Sequence, residues 1–404
     1  MTDIANTLRA FNAGRDPERL TIKYAKMRSS SYVFLRATCH LFYDRLLVEN
    51  LPRDAPLGWI CGDLHLENFG SYKGENRLVY FDINDFDESA LAPVSWDLVR
   101  LLASISVAAK TLRIGKRKAE SLSLDFIAAY CDTLKTGKAT WIERDTASGL
   151  IKQLLDGLKD ESRVEHLDKF SDHSKKKRSL RCDGVRALKA DKKDRDRVIE
   201  WVDAFAKKQQ NSEFFQVLDV ARRIAGVGSL GVERYVILVR GRGSPDNNYL
   251  LDLKASRPSC LARHLEAITA QPKFDLPAHR IVAVQTRMQA EPMAFLNSVA
   301  KRKSSYVLRG LQPSENRVAL DDPAVKFEQI SEVITHMGRV VASAQLRSAG
   351  RQGSANVDAL IAFASTRKTW QDPLLKVAQQ SAAQNGADWE EYCDAYDAGA
   401  FAVR

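Results

Sequence analysis

The sequence has 404 residues, 45% hydrophobic and 28% charged, which sets aside disordered, collagen-like and fibrous chains and supplies apolar material for more than one core. Net charge is +10, and residues 171–208 hold 13 Lys/Arg against 7 Asp/Glu, a patch for an anionic partner unless it is simply a solvated, partly mobile loop. No run reaches the ~18 apolar residues of a membrane span, the opening MTDIANTLRAFNAGRDPERL lacks a secretory pattern, and six scattered cysteines without a CxxC pair fit reduced thiols, so a cytoplasmic protein is expected.

After a polar start, Ser29–Ser31 precede Tyr32, Leu35, Cys39, Phe42 and Leu46, whose spacing predicts a helix over 31–49 that Pro52 and Pro56 end. WICGDLHLENFG is a short apolar run turning into a polar loop, and RLVYFDIND is a β-rich run breaking into acidic residues. A buried helix is expected over 96–112 and further helix over 119–170, before the basic segment. From about 215 the pattern turns to strands: AGVGSLGVERYVILVRG, NNYLLDLKAS, RIVAVQTRMQ and SSYVLRGLQP, with a short helix at 260–269 between the second and third. Helix resumes at about 325, most clearly in FEQISEVITHMGRVVASAQLR. The expected organisation is α+β, with a small antiparallel β lobe (215–312) inserted between two parts of a helical lobe (1–214 and 313–404).

Asp63 and Asn68 stand five apart in the first loop, and Asp82 opens a run with Asp85 and Asp87. Oxygen donors on loops at strand ends suit a hard ion such as Mg²⁺, and a carboxylate free of metal is placed to accept a hydroxyl proton. The same side chains also serve as ordinary turn caps. Gly62-Asp63-Leu64-His65 with Asn68 resembles the HGDxHxxN catalytic loop of aminoglycoside-phosphotransferase-like and choline-kinase-like enzymes. Phe81-Asp82-Ile83 is similar to the strand end that follows in that family, and Asp97-Leu98 to its helix-opening pair. The resemblance implies Asp63 as catalytic base, Asn68 and Asp82 as Mg²⁺ ligands, Asp97 as a brace of the loop backbone, and a lesser catalytic part for His65. Asp85 is a further metal candidate, since spacing does not fix which carboxylate faces the ion. Cys61 replaces the family's first His. GDLH also resembles the start of binuclear metallophosphoesterases, but the later Gly-Asn-His step is missing.

Gly226, Gly228, Ser229 and Gly231 form a glycine turn before the strand Tyr235–Val239, where backbone N–H groups can approach phosphates. Lys254 follows inside a strand, where a lysine needs an anion or a route to water. A glycine hairpin followed by a strand lysine is the kinase small-lobe arrangement, with Glu266 as the candidate partner of Lys254. The order is reversed relative to ordinary kinases, so the combined expectation is a bilobed protein-kinase-like fold, circularly permuted. Most of the chain also resembles an uncharacterised bacterial family, the domain of unknown function 2252 group, through KMRSSSYVFLRA, CGDLHLENFG, VYFDINDFDESALAPVSWDLVRL, GVGSLGVERYVIL, LLDLKAS and MGRVVASAQLR. Ala255 and Gln345 depart from that family's pattern, in place of an acidic residue and a histidine.

The expectation is therefore an ATP- and Mg²⁺-dependent phosphotransferase acting on an unidentified hydroxyl acceptor. Two alternatives accompany it: a non-catalytic, pseudokinase-like binding protein, and a nucleic-acid binder using residues 171–208. Nucleotidyl transfer is a variant of the first. Arg36 is placed to reach a phosphate or a surface carboxylate; Trp96, Trp141, Trp201 and Trp370 read as core or interface anchors.

Overall fold

In the computed structural model, residues 3–175, 177–301, 304–313 and 316–402 are described. Two capped helices come first, α1 (Ile4–Asn12) and α2 (Pro17–Ser29); Asp16 accepts from the Arg19 amide and Pro17 sits at the first helical turn. The single helix expected over 31–49 is two, α3 (Ser31–Ala37) and α4 (Cys39–Arg45), because Thr38 leaves helical geometry at ψ 44° and turns its hydroxyl back to the Phe34 carbonyl.

The next four strands make two antiparallel pairs. β1 (Leu57–Ile60), β2 (Phe69–Lys73), β3 (Val79–Ile83) and β4 (Ala90–Pro93) pair as β1–β4 and β2–β3. Both loops that link the two pairs, 61–68 and 84–89, therefore lie at the same end, and the Asn84 amide donates to the Asn68 carbonyl at 2.9 Å. This nesting brings the two polar motifs together.

Helices α5 (Ser95–Ala108), α6 (Lys116–Lys135), α7 (Gly149–Asp160) and α8 (Arg163–Phe170) follow. The basic segment then proves to be folded: a hairpin of β5 (Ser171–Ser174) and β6 (Lys177–Leu180), a strand β7 (Ala187–Lys189) and a helix α9 (Lys192–Ala206). Val198, Trp201, Val202 and Phe205 of α9 are buried against one face of the main sheet, about 1.5–3 kcal/mol of burial each. Its arginines are engaged internally: Arg178 with Asp168 and Asp246, Arg195 with Asp219, Arg197 with Asp194 and Glu233. The solvated, mobile loop expected here is thus replaced by ordered structure, and much of its positive charge is neutralised in place.

The main sheet adds β8 (Val217–Arg223), β9 (Arg234–Gly243) and β10 (Asn247–Ala255); after α10 (Ala262–Leu265) and α11 (Pro277–Met288) come β11 (Asn297–Lys301) and β12 (Ser304–Gly310). Its order is β11-β12-β10-β9-β8-β7, with every pairing antiparallel. The sheet thus begins with β7, ahead of residue 215. RIVAVQTRMQ, expected as a strand, is helix α11: Pro277 starts it, and Ala278, Ile281, Val284, Gln285 and Met288 are buried at three- and four-residue steps. The chain closes with α12 (Phe327–Ser348), α13 (Val357–Ser365) and α14 (Arg367–Asp397). The protein is thus mixed α+β with small antiparallel sheets. Trp96, Trp201 and Trp370 are buried as anchors, whereas Trp141 is 59% exposed. No described helix is long and apolar enough to cross a membrane, and all six cysteines are free of disulfides.

Candidate functional site

Strand alternation decides what β10 shows to each side. Leu251 and Leu253 point into the α9 core, so Asp252 and Lys254 point the other way. They face loops 61–68 and 84–89, and between sheet and loops lies a cavity of about 570 Å³. Nine Lys/Arg and six Asp/Glu side chains line it, so its walls carry a net positive charge that favours an anionic ligand.

Loop 61–68 is held from below. Asp97, on the first turn of α5, accepts the Cys61 amide at 2.9 Å and the Gly62 amide at 3.0 Å, bracing the loop by its backbone. Burial pushes the Asp97 carboxyl up to about 6 despite these bonds. Gly62 has φ +81°, and a Cβ there would stand 2.2 Å from the Glu88 carbonyl oxygen, so only glycine allows the second loop to pass so close.

Asp63 directs Oδ1 at Arg100, which donates through Nε at 3.1 Å and Nη2 at 2.8 Å. Arg100 is fully buried and also donates to the Leu35 carbonyl. The second oxygen of Asp63 has no hydrogen-bond partner among the described residues and its side chain is 23% exposed, in the cavity wall. His65 is buried with an unpartnered Nδ1; burial, then Arg36 and Arg100, hold its pKa well below the usual histidine range, so it is neutral at pH 7. Asn68 clips the two loops together: its Nδ2 donates to the Asp63 and Asp85 carbonyls at 3.2 and 3.1 Å, and its Oδ1 accepts the Asp85 amide at 2.8 Å.

Lys254 Nζ lies 3.3 Å from Asp85 Oδ2 and also pairs with Asp87. Burial alone would raise Asp85, but Lys254 and Arg309 hold it at about 2, whereas burial and the charge of Asp85 raise Asp87. Beside them, Asp252 receives three guanidiniums, Arg223 at 2.9 Å, Arg234 at 2.6 Å and Arg309 at 3.3 Å, which keep it ionised against burial. Three cations on one carboxylate leave positive charge facing the cavity.

The glycine turn joins β8 to β9. Gly226, Gly228 and Ser229 line the cavity, while Gly231, at φ +83°, packs against Arg15 and Leu20 and gives its carbonyl to the Asp16 amide. The α1–α2 hairpin thus docks on the turn, and the Gly228 carbonyl accepts from Arg15 Nη1 at 2.9 Å.

Two expected residues stand elsewhere. Asp82 is buried on the far side: its Oδ1 accepts the Ile83 amide, and its Oδ2 accepts the Ala290 amide at 3.0 Å and faces Arg347 at 3.2 Å. It lines a second cavity of about 650 Å³ bounded by α6 and α12, and burial raises its carboxyl. Glu266 is exposed at the end of α10; the carboxylates that meet Lys254 are Asp85 and Asp87. Asp63, His65, Asn68, Asp85, Gly226, Gly228 and Ser229 line one cavity, with Lys254 bonded to one of its walls.

Sequence reasoning passed over Arg100, Arg223 and Arg234, and gave no role to Arg309, which the sequence places in a strand of the small lobe. The signal for Arg100 was a cation one turn after Asp97 in an otherwise apolar helix, which demands a buried carboxylate. The signal for Asp252 was its place two residues before Lys254, on the same strand face.

Residues 15–395 match the family described as "Uncharacterized protein conserved in bacteria (DUF2252)". The chain belongs to that family. No curated protein and no solved structure matches the chain. Two residues where the family resemblance leads to a different expectation have clear places here: Ala255 lines the cavity next to Lys254, and Gln345 accepts the Tyr130 hydroxyl inside the helical body.

Proposed function

We propose that this member of the family is an ATP- and Mg²⁺-dependent phosphotransferase with a circularly permuted kinase-like arrangement, the main sheet serving as nucleotide lobe. The observation that carries the reading is Lys254, delivered by the sheet, meeting Asp85 and Asp87 on the loop that Asn68 ties to Asp63. Phosphates would lie between Lys254, the arginines around Asp252 and the glycine turn, in a site already short of negative charge.

The donor set fits Mg²⁺ through Asp85 and Asp87, two mutually repelling carboxylates that a hard cation would satisfy. No group of three His, Cys, Asp or Glu ligands exists among the described residues, so water and phosphate oxygens would complete the coordination, while Asn68, expected as a ligand, is bonded to backbone and ties the loops instead. Both oxygens of Asp82 are engaged by its own strand, Ala290 and Arg347, so the metal role expected for it passes to Asp85. When bound, Mg²⁺ supplies charge neutralisation for the phosphates. Asp63 orients the acceptor hydroxyl with its free oxygen and takes its proton as the new O–P bond forms. The bond from the γ-phosphorus to the β,γ-bridging oxygen breaks, and ADP leaves with that electron pair.

A nucleotide-binding protein without turnover is the second reading, favoured by the full engagement of the Asn68 carboxamide with backbone. The test is calorimetric titration of ATP, with and without Mg²⁺, into wild type, Asp85→Ala and Lys254→Ala, followed by ADP release over a panel of hydroxyl acceptors. Mg²⁺-dependent binding weakened about tenfold or more by each substitution is expected. Absence of binding to wild type under both conditions would sink the proposal, and binding without turnover would leave the second reading.

A further inference from the structure

On the Asp63 side of the cavity, cations outnumber the carboxylates available to them. Arg36 on α3 and Arg317, after β12, converge on one carboxylate, Glu67, which stands between His65 and Asn68 in the loop; the Arg36 contact is 2.8 Å. Arg15, 8% exposed, has only the carbonyls of Gly228 and Leu230 as hydrogen-bond partners, and no carboxylate among the described residues pairs with it or with Arg257 at the rim. The Nε atoms of Arg15 and Arg36 are buried without hydrogen-bond partners among the described residues. Burial and neighbouring guanidiniums push Arg15 and Arg317 down to about 10. On the sheet side of the cavity the buried guanidiniums have a carboxylate, as Arg223 and Arg234 have Asp252. Guanidiniums in excess of their carboxylates along a cavity wall are the arrangement that binds an oxyanion.

We propose that this half of the cavity binds a small hydroxyl compound carrying a phosphate or carboxylate, its anionic group held by Arg36 and Arg317 and flanked by Arg15 and Arg257. The nucleotide phosphates are assigned to Lys254 and Arg309 on the sheet, and the two groups of cations meet at the glycine turn, where Arg15 bonds the Gly228 carbonyl and Arg234 the Ala225 carbonyl. A cavity of about 570 Å³ is of the size that encloses small molecules rather than a folded partner. The word acceptor for this compound rests on the phosphotransferase reading; the anion site does not.

The test is titration of inorganic phosphate, glycerol 3-phosphate and neutral glycerol into the full chain, alone and with a non-hydrolysable ATP analogue and Mg²⁺, with melting curves as a fold control. Saturable binding of the two anions but not glycerol is expected, weakened about tenfold by Arg36→Gln or Arg317→Gln and little changed by Lys254→Ala. Glu67→Gln removes the competing carboxylate and is expected to tighten phosphate binding, a gain that misfolding cannot mimic. Anion binding that depends on Lys254 and ignores Arg36, Arg317 and Glu67, or no preference for the anions over glycerol, would overturn the proposal while leaving the nucleotide reading intact. Anion binding that depends on Arg36 and Arg317 in a protein that fails to bind ATP supports the site and removes the phosphotransferase reading.

Discussion

Lys254 and Asp85 are 169 residues apart in the chain and 3.3 Å apart in space, one on the main sheet and the other on a loop of the helical body. Asp87 closes on the same ammonium, so one lysine ties the sheet to two carboxylates. Lys254→Met removes the nearest cation from both carboxylates and leaves them the charge of Arg309. Because they are part-exposed to the cavity, a loss of about 2 kcal/mol is expected at pH 7, less than a fully buried pair would give. The Asp85 contribution has a definite sign with pH. Its carboxyl is held at about 2 in the folded protein, so its stabilisation is full above the unfolded value of ~3.9 and is lost as pH falls toward 2. Urea melts at pH 7 and pH 3 should show the penalty of Lys254→Met shrinking at the lower pH. An undiminished penalty would show that the pair does not carry it.

Asp97 gives the opposite slope. Burial holds its carboxyl at about 6, above the unfolded ~3.9, so its contribution is full below pH 4 and is lost as pH rises through 6, on the order of 2–3 kcal/mol. Asp97→Asn cannot ionise and keeps only one acceptor for the Cys61 and Gly62 amides. Its stability deficit relative to wild type should be largest near pH 4 and narrow by pH 7. A deficit that instead widens with pH would mean that the ionised carboxylate is the favoured state.

The two carboxylates that look alike in the sequence separate in their effects. Asp82→Asn acts on the Arg347 contact and the Ala290 amide, away from Lys254, so it should cost stability, about 1–3 kcal/mol, and leave nucleotide affinity within about twofold. Asp85→Asn should do the reverse, with a small stability change and a loss of Mg²⁺-dependent affinity. Parallel melts and titrations of the two variants decide it. A large loss of affinity in Asp82→Asn would return the metal role to that residue.

How far such residues could be placed from sequence follows from what periodicity encodes. Lys254 was legible because it breaks a strand pattern with a side chain that needs a partner, and Asp63 and Asn68 because their spacing in a loop resembles a known motif. The place of Asp82, beside Arg347 rather than Lys254, was not legible because spacing along a strand end does not tell which side of the hairpin faces the sheet; that depends on where α12 packs, a tertiary fact. RIVAVQTRMQ misled through its β-branched residues, although Ile281, Val284 and Met288 already carried the helical step and Pro277 its start. Net charge concealed α9, since the apolar stripe of Val198, Trp201, Val202 and Phe205 is embedded among lysines, arginines and aspartates. Glu266 was chosen as the glutamate on the helix after the strand of Lys254, and α10 proved a single turn that leaves it in solvent.

Gly62→Ala tests the nesting of the two loops. The added Cβ would meet the backbone carbonyl of Glu88, which cannot rotate away as a side chain would, and φ +81° is strained for alanine. A destabilisation of about 2–4 kcal/mol is expected. It should be accompanied by weaker nucleotide binding, since the loop carrying Asp85 must shift. Full affinity in a destabilised Gly62→Ala protein would show that the register of the two loops does not matter for the site.

Arg100 stands behind Asp63, and its substitution separates positioning from charge. It is fully buried, with its guanidinium 4.6 Å from the Phe42 ring centre, and Asp63 is its carboxylate partner. Arg100→Met fills similar volume but leaves the Asp63 carboxylate without its cation, a loss of about 3 kcal/mol. Arg100→Lys keeps the charge and forfeits the bond to the Leu35 carbonyl along with the planar geometry, so its cost should be smaller. If Asp63 takes the acceptor's proton, turnover should fall in Arg100→Met far more than in Arg100→Lys, with melting curves of both variants as the fold control. Turnover that follows stability alone, equal in the two variants once both are folded, would show that Arg100 serves the fold and does not position Asp63.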